Sequence, residues 1–563
     1  GMFQVESRAQ MSCLPRLRPQ RFYDVVVQVA IIRPGPIVGQ MVNPFLERRQ
    51  GRQAVTYAHP SLEPILERTL GVPLFQEQLL RIAMVAANFS GGEAEELRRA
   101  MGFKRSMQRM KEIEARLRQG MTENGISPAA QEEIILSITS FALYGFPESH
   151  AASFALLAYA SAYLKCHYLG AFTAALLNNQ PMGFYHPATI VKDAQRHGLK
   201  VLPVDVMKSD WLCTLEKSSQ QSVVGSPLSG DSSLQLESSG FEFQLSSGAR
   251  KNVSHVKNHE LPVCGSPARV TQSPKAVLAL RLGLRYVRGL REEAGQALVR
   301  ERSLGSFTSI HDLVRRVPEL RKDELNTLAE IGALNSVGNS PRKYKLVNDD
   351  LRLPMQKGDC QSSPTNPLSC SNQQSAFSNS EPAALRGRNH FHRRDALWQV
   401  ERAVRWSGPL LESFSEPETY SPLAVMNHEE RLVADFHGTG LTVGPHPMAY
   451  RRCELDRMGI RRAGDLVHLG NGQRVRVAGC VIVRQRPGTA KGFVFLSLED
   501  ETGIANAIIT PDLFQKNRLL LVTEKFVLVE GILQHQDHVI SVKTERIFPL
   551  AVTEAETISH DFH

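Results

Sequence analysis

Two interruptions constrain what this chain can fold into. From Lys217 to about Ser273, and again from Leu353 to about Pro382, small and polar residues displace the apolar ones and no hydrophobic periodicity survives. Segments of that composition cannot bury enough apolar surface to offset the entropy of ordering them, so both are expected to be disordered. The 563 residues are therefore read as several folded blocks. Their expected bounds are a helical block over 1–216, a Ser-rich insertion over 217–275, a second helical region over 276–340, a low-complexity linker over 341–390, a helical connector over 391–472, a β-rich domain over 473–550 and a tail over 551–563.

In the first block, Phe141 to Gly170 opens on the turn Tyr144-Gly145-Phe146-Pro147 and continues Ala- and Leu-rich, apolar on nearly every face. A helix apolar all round is expected to lie buried inside a large domain. Ser149 is the expected N-cap, which puts His150 in the first turn. The positive end of such a helix suits an anion such as a phosphate, with His150 and Ser153 as further donors. A capped core helix with a satisfied histidine fits the same residues. Upstream, Arg98, Arg99, Lys104 and Arg105 crowd into a short span. Guanidinium forks match phosphate oxygens, so Arg98, Arg99 and Lys104 could clamp a triphosphate; a solvated basic helix face has the same pattern. Arg33-Pro34-Gly35-Pro36 cannot be helical throughout, which mounts Arg33 on a rigid turn. Gln76, Glu77 and Gln78 fall on an amphipathic helix expected over 74–87.

Beyond the first interruption, Leu284 to Leu334 reads as tandem helix-hairpin-helix units. In Val287-Arg288-Gly289-Leu290 the glycine permits a turn whose backbone N–H groups can meet a DNA phosphate without reading sequence. Short alternating strands between Gly, Pro and Asp turns over 473–550 predict an OB-fold barrel. Val475, Val477, Gly479, Val481 and Val483 share one face of its first strand, opposite Arg474, Arg476 and Arg484. In the next strand Val494, Leu496 and Leu498 oppose Phe493, Phe495 and Ser497. With the aliphatic face inward, Phe493 and Phe495 form a stacking platform for bases, and Arg484, Arg486 and Lys491 meet phosphates. The alternative puts the phenylalanines in the core. Leu513 and Phe514 read as core residues rather than as a clamp-binding peptide.

The net charge of +9 and pI near 9.1 favour an acidic partner, of which nucleic acid is the commonest. The eight cysteines are scattered without CxxC or zinc spacing, which suits reduced thiols in the cytoplasm. No apolar run is long and uncharged enough to span a bilayer, and no signal peptide is visible.

Arg33-Pro34-Gly35-Pro36, Gln76-Glu77-Gln78, Leu97-Arg98-Arg99-Ala100-Met101-Gly102 and Tyr144-Gly145-Phe146-x-x-Ser149-His150-Ala151-Ala152 occur in this order. Together they resemble the fingers of bacterial C-family DNA polymerases, the family of the polymerase III alpha subunit. His392–Trp398, Gly438–Pro447, Val477–Gly492 and the ending Ser559–His563 resemble its error-prone branch. The resemblance implies a multidomain architecture: mainly α fingers and helix-hairpin-helix regions followed by a C-terminal OB-fold β-barrel. It implies that Arg98, Arg99, Lys104, His150 and Arg33 line the path of an incoming dNTP. Arg288, Gly289, Arg484, Arg486, Lys491, Phe493 and Phe495 would then hold template-primer and single-stranded DNA. A sliding clamp, reached through accessory mutagenesis proteins, is a further implied partner.

Nucleotidyl transfer needs metal ions held by neighbouring carboxylates. No Asp-x-Asp occurs, and Asp349-Asp350 and Glu499-Asp500-Glu501 read as solvated turns. In the family the Mg2+ ligands lie in a palm N-terminal to the fingers. The chain is thus expected to be the C-terminal half of a translesion polymerase, inactive alone and binding no Mg2+ itself. A non-catalytic DNA-binding module and an inactive fragment of a split gene remain the alternatives.

Overall fold

The computed structural model describes residues 1–32, 42–102, 107–142, 146–182, 185–217, 278–338, 392–405, 421–487, 490–551 and 560–562. Arg33, Lys104, Asp349, Asp350 and nearly all of the two low-complexity stretches lie outside the described residues.

The first part is helical: α1 Arg8–Leu17, α2 Phe22–Ile31, α3 Val42–Arg49, α4 Gln76–Ala87, α5 Gly91–Gly102, α6 Met107–Glu123, α7 Pro128–Ala142 and α8 Glu148–His167. Each apolar stripe points into one core that includes Leu17, Ile31, Phe75, Leu79, Leu97, Met121 and Ile138. The start of α4 is satisfied from within its first turn. Gln78 Oε1 accepts from the backbone N–H groups of Leu74 and Phe75, and Nε2 donates to Ile65 O and Thr69 Oγ1. A buried glutamine with all these partners fixes the entry angle of the chain.

Helix α8 departs from its expected burial. It buries only a stripe of small residues, Ala151, Ala155 and Ala158, which lets it lie close against α2. Its large apolar residues, among them Leu156, Tyr159 and Tyr163, face outward. An apolar composition on every side shows no preferred face, and here small size decided which side packs.

Helices α9 Leu169–Asn178 and α10 Pro187–Arg196 lead to a small sheet of β1 Lys200–Leu202, β2 Thr214–Lys217 and β3 Leu278–Arg281, in the order β1-β3-β2. Helices α11 Glu292–Leu304, α12 Ile310–Arg316, α13 Lys322–Glu330, α14 Arg393–Ala403 and α15 His428–Thr439 follow. One core gathers residues from most of this region, including Leu177, Val191, Leu282, Leu298, Leu313, Leu328, Val400 and Leu441, while Leu432 and Phe436 of α15 form a small cluster of their own.

After the short helix α16 Arg452–Arg457 the chain forms a barrel of β4 Arg474–Gln485, β5 Val494–Glu499, β6 Ile504–Ile509, β7 Phe526–Gln536 and β8 Val539–Pro549. The circuit β4-β5-β6-β8-β7 closes back on β4, with β6 and β8 parallel and the other pairs antiparallel. Helices α17 Pro511–Lys516 and α18 Arg518–Thr523 lie between β6 and β7, and β9 His560–Phe562 runs parallel to the end of β4. This is the expected OB-fold barrel. Thr510 caps α17, and Leu513 and Phe514 pack on the barrel core.

The expected two faces of β4 hold only at its start. Val475, Val477 and Val481 fill the barrel, but Ala478 and Cys480 are buried on the other side by Met448, Leu455 and Ile460 of the connector. Register shifts between Val481 and Val483. A strand covered on both sides loses the simple alternation of a half-exposed one.

Gly479 marks where β4 bends onto β5: a Cβ there would sit 2.6 Å from the carbonyl oxygen of Glu499. Gly479→Ala is expected to cost about 1–3 kcal/mol by forcing these backbones apart. Urea denaturation of the full chain checks this, and an unchanged midpoint would contradict the close approach.

Candidate nucleic-acid interface

The two helix-hairpin-helix turns share one pattern. Val287-Arg288-Gly289-Leu290-Arg291 leads into α11, and Val317-Pro318-Glu319-Leu320-Arg321 leads into α13. In each, the leucine N–H bonds back to the valine carbonyl, at 3.3 Å and 3.2 Å. Gly289 takes a φ of +80°, which a side chain would disfavour, and a Cβ there would meet open space. The turns are locked together by Glu324, a residue the sequence reading passed over. Its buried carboxylate accepts from the backbone N–H groups of Arg291 and Arg321 and from the Arg291 guanidinium. Burial alone would raise its pKa, but these bonds hold it below the usual carboxylate range. Arg288 donates to the carbonyl of His437 at 3.3 Å, at the negative end of α15.

On the barrel, Val494, Leu496 and Leu498 face the core, so Phe493 and Phe495 lie on the other side and are half-buried. Phe495 stands between Gln485 and Ile508 in the neighbouring strands. The Arg486 guanidinium lies 5.0 Å from the centre of the Phe514 ring, and Lys491 is exposed beside Gly492. Arg484 is placed differently from the phosphate contact expected of it. It reaches sideways to the carbonyls of Leu521, at 2.7 Å, and Glu524, at 2.6 Å, and so caps the end of α18. Farther along the same face, the half-buried Arg8 of α1 donates to Ser497 at 2.7 Å and to Asn506. Phe493 and Phe495 thus stay half-buried on this face, while Arg486 lies over Phe514.

In the helical block, Arg98 and Arg99 both pair with Glu95 on their own helix, at 2.7 Å and 3.2 Å, and hold its carboxyl down at about 2. Arg99 remains 74% exposed, enough to reach a second partner. The start of α8 differs from its expected geometry. Pro147, not Ser149, is the N-cap, and the Glu148 N–H donates to the Glu77 carboxylate at 2.9 Å. An internal carboxylate thus already meets this helix end. Ser153 donates to the carbonyl of Ser149, while the His150 ring packs between Phe146 and Phe154 at 5.0 Å and 4.2 Å.

Glu499-Asp500-Glu501 is a buried junction rather than a solvated turn. Arg196 of α10 pairs with Glu499 at 2.7 Å. Arg452 of α16 pairs with Asp500 at 3.4 Å and with Glu501. Asp500 also accepts from the N–H groups of Ala463, Thr502 and Gly503. Burial pushes the Glu499 carboxyl up to about 7 although Arg196 opposes the shift. The Gly444-Pro445-His446-Pro447 turn completes the junction. Lys192 donates to Gly444 O, and the buried His446 accepts from Met448 N and is held well below its ordinary pKa. Among the described residues no group of three or more His, Cys, Asp or Glu could hold a metal ion, and no helix among them is long and apolar enough to cross a membrane.

Comparison with known proteins matches three families. They are described as the bacterial DNA polymerase III alpha subunit finger domain, over 1–125; a helix-hairpin-helix motif, over 247–344; and an OB-fold nucleic acid binding domain, over 475–550. The chain is 41% identical over 100% of its length to the error-prone DNA polymerase of Anaeromyxobacter sp., and covers 41% of that protein. It is 39% identical over 97% of its length to the error-prone DNA polymerase of Methylococcus capsulatus, and covers 44% of it. The chain thus spans about two fifths of the length of the curated relatives it matches. Among solved structures, asparaginyl-tRNA synthetase from Pyrococcus horikoshii is similar over 16% of this chain and 21% of its own, at 24% identity and a TM-score of 0.13.

Arg196→Ala would leave Glu499 buried without its cation, at an expected cost of roughly 3–5 kcal/mol near pH 8. A carboxyl whose folded pKa lies above its ordinary 4.5 costs stability fully above the folded value, about 7 or higher, and progressively less as pH falls toward 4.5. The deficit should therefore narrow toward pH 5. Urea titrations at both pH values check this; a deficit that is absent, or independent of pH, would contradict the junction.

Proposed function

We propose that this chain, a relative along its whole length of error-prone DNA polymerases and a carrier of the finger domain of bacterial polymerase III alpha subunits, is the substrate-holding portion of a DNA-directed DNA polymerase. One structural observation supports this reading most: a closed OB barrel keeps Phe493 and Phe495 on the side away from its core, half-buried, with the exposed Lys491 two residues before Phe493, within a chain that also carries paired helix-hairpin-helix turns. Aromatic rings beside cations take successive unpaired bases without reading their sequence. Hairpin turns of this kind grip the backbone of duplex DNA through main-chain donors.

In this reading the tandem hairpins hold template-primer DNA through Arg288 and Gly289, and the barrel holds single-stranded template on Phe493, Phe495, Arg486 and Lys491. Arg98, Arg99 and His150, with Arg33 and Lys104, line the path of the incoming dNTP. Fixed cations there would stabilise charge developing on the transferred phosphoryl group without reorganising. In this reading the Mg2+ ligands are supplied by polymerase sequence outside this chain, and its own residues hold and orient the substrates. The role extends to translesion synthesis in damage-induced mutagenesis, in the cytoplasm, with a sliding clamp reached through accessory proteins.

Purified alone, the chain is expected to bind single-stranded and primer-template DNA but not to extend a primer. Extension that survives a contamination control would contradict this assignment. Joined to the remainder of a polymerase, Arg99→Ala should slow nucleotide incorporation on the order of 10²–10³-fold. Unchanged single-turnover rates would return Arg99 to the role of a solvated partner of Glu95.

Stacking contributes roughly 1–3 kcal/mol per base. Phe495→Ala should therefore weaken single-strand binding by an amount in that range, read by fluorescence anisotropy, with little change in melting temperature. A variant that unfolds, or binds as tightly as the parent, would place Phe495 in the core.

A further inference from the structure

Among the described residues, the face of α8 away from the core is an exposed and largely apolar surface. Ala151, Ala155 and Ala158 recur at helical spacing on the buried side. On the opposite side, Leu156, Leu157, Tyr159, Tyr163, Leu164 and Tyr168 are each 44–59% exposed. The helix has turned its small residues inward and most of its large ones outward; of its large apolar residues, Phe154 packs against the core. Phe22, itself exposed, extends the patch through an edge-to-face contact with Tyr159 at 6.2 Å. The run Ser153 to Leu164 contains no Asp, Glu, Lys or Arg. The next charge, Lys165, is tied to Asp193 at 2.8 Å.

Contiguous apolar patches of more than a few hundred Å² are rare on free soluble proteins and mark interaction sites. An uncharged ridge of leucine and tyrosine offers no phosphate contact, which argues for a protein partner over DNA. The relatives supply the occupant. They align over all of this chain and are more than twice as long, so the same helix sits in proteins with a large additional body of polypeptide. We propose that the outward face of α8 is the docking surface for that additional polymerase sequence, which presents a matching apolar groove. The inference rests on the reading of the chain as part of a longer polymerase. It adds the surface through which the substrate-holding portion is joined to the rest.

The test uses the full chain with Leu156→Glu and, separately, Tyr163→Glu. The probe is the purified portion of the Anaeromyxobacter sp. relative that does not align with this chain. Sedimentation velocity and calorimetry should show a complex with the parent chain. Each variant should weaken it on the order of tenfold or more, as expected of central apolar anchors, and melt at the parent's temperature because its side chain is exposed. Four results would overturn the proposal: no complex with the parent; variants that bind as the parent does; variants that melt many degrees lower, which would mean the chain covers this face itself; or a parent dimer dissolved by the variants, which would assign the face to a second copy. The readout is association, not synthesis. A chain that docks but supports no primer extension in the joined enzyme would refute the functional reading and leave the docking surface standing.

Discussion

The structure depends on how three consecutive carboxylates are held. Glu499, Asp500 and Glu501 end one barrel strand and begin the turn to the next, and they are met by Arg196 from one helix and Arg452 from another. Carboxylates out of water are costly unless paired and fully hydrogen-bonded. Here the pairing joins segments as far apart as Arg196 and Glu499, 303 residues along the chain, a separation whose closure entropy grows only slowly with length. The junction thus fixes where the barrel sits on the helical body. Breaking any one pair would strand a buried charge, so the arrangement tolerates little play.

From that anchor the placement of the proposed nucleic-acid face follows. The barrel is also touched by the first helical block, through Arg8 on Ser497 and Asn506 and through Arg52 on Asp537 at the tip of the last hairpin. These contacts cover part of the outer sheet and leave Phe493 and Phe495 half-buried beyond them. Arg484 has a positioning role instead, tying β4 to the end of α18. The polar groups that look most suited to binding in the sequence are therefore of two kinds, and only side-chain direction separates them.

The class of the helical N-terminal region, of the helix-hairpin-helix region and of the barrel was legible. Alternation of Val494, Leu496 and Leu498 against Phe493 and Phe495 identifies the barrel's inner face, because a strand has a period of two. The hairpin at Gly289 was legible for the same kind of reason, since only a residue free to adopt positive φ suits that turn. The start of α8 was not. Ser149 looks like a cap, yet the partner of the Glu148 N–H is Glu77, far away in sequence. Nor was the burial of Glu499-Asp500-Glu501, because consecutive charges read as solvated until Arg196 and Arg452 are known to reach them. Glu324 was missed for a like reason: its role lies in a partner, Arg291, on another hairpin. Local pattern specifies elements, whereas long-range pairing decides which polar residues are structural.

The central claim is that this chain holds DNA on two surfaces, the barrel's open face and the paired hairpins. Photocrosslinking addresses it most directly. A primer-template with photoreactive thymine analogues in the single-stranded overhang and in the duplex would be bound to the full chain, and the adducts mapped by mass spectrometry. The account predicts overhang adducts at Phe493, Phe495 or their strand neighbours, and duplex adducts around Val287–Arg291 and Val317–Arg321. Overhang adducts confined to the helical block, or duplex adducts that avoid both hairpins, would contradict it.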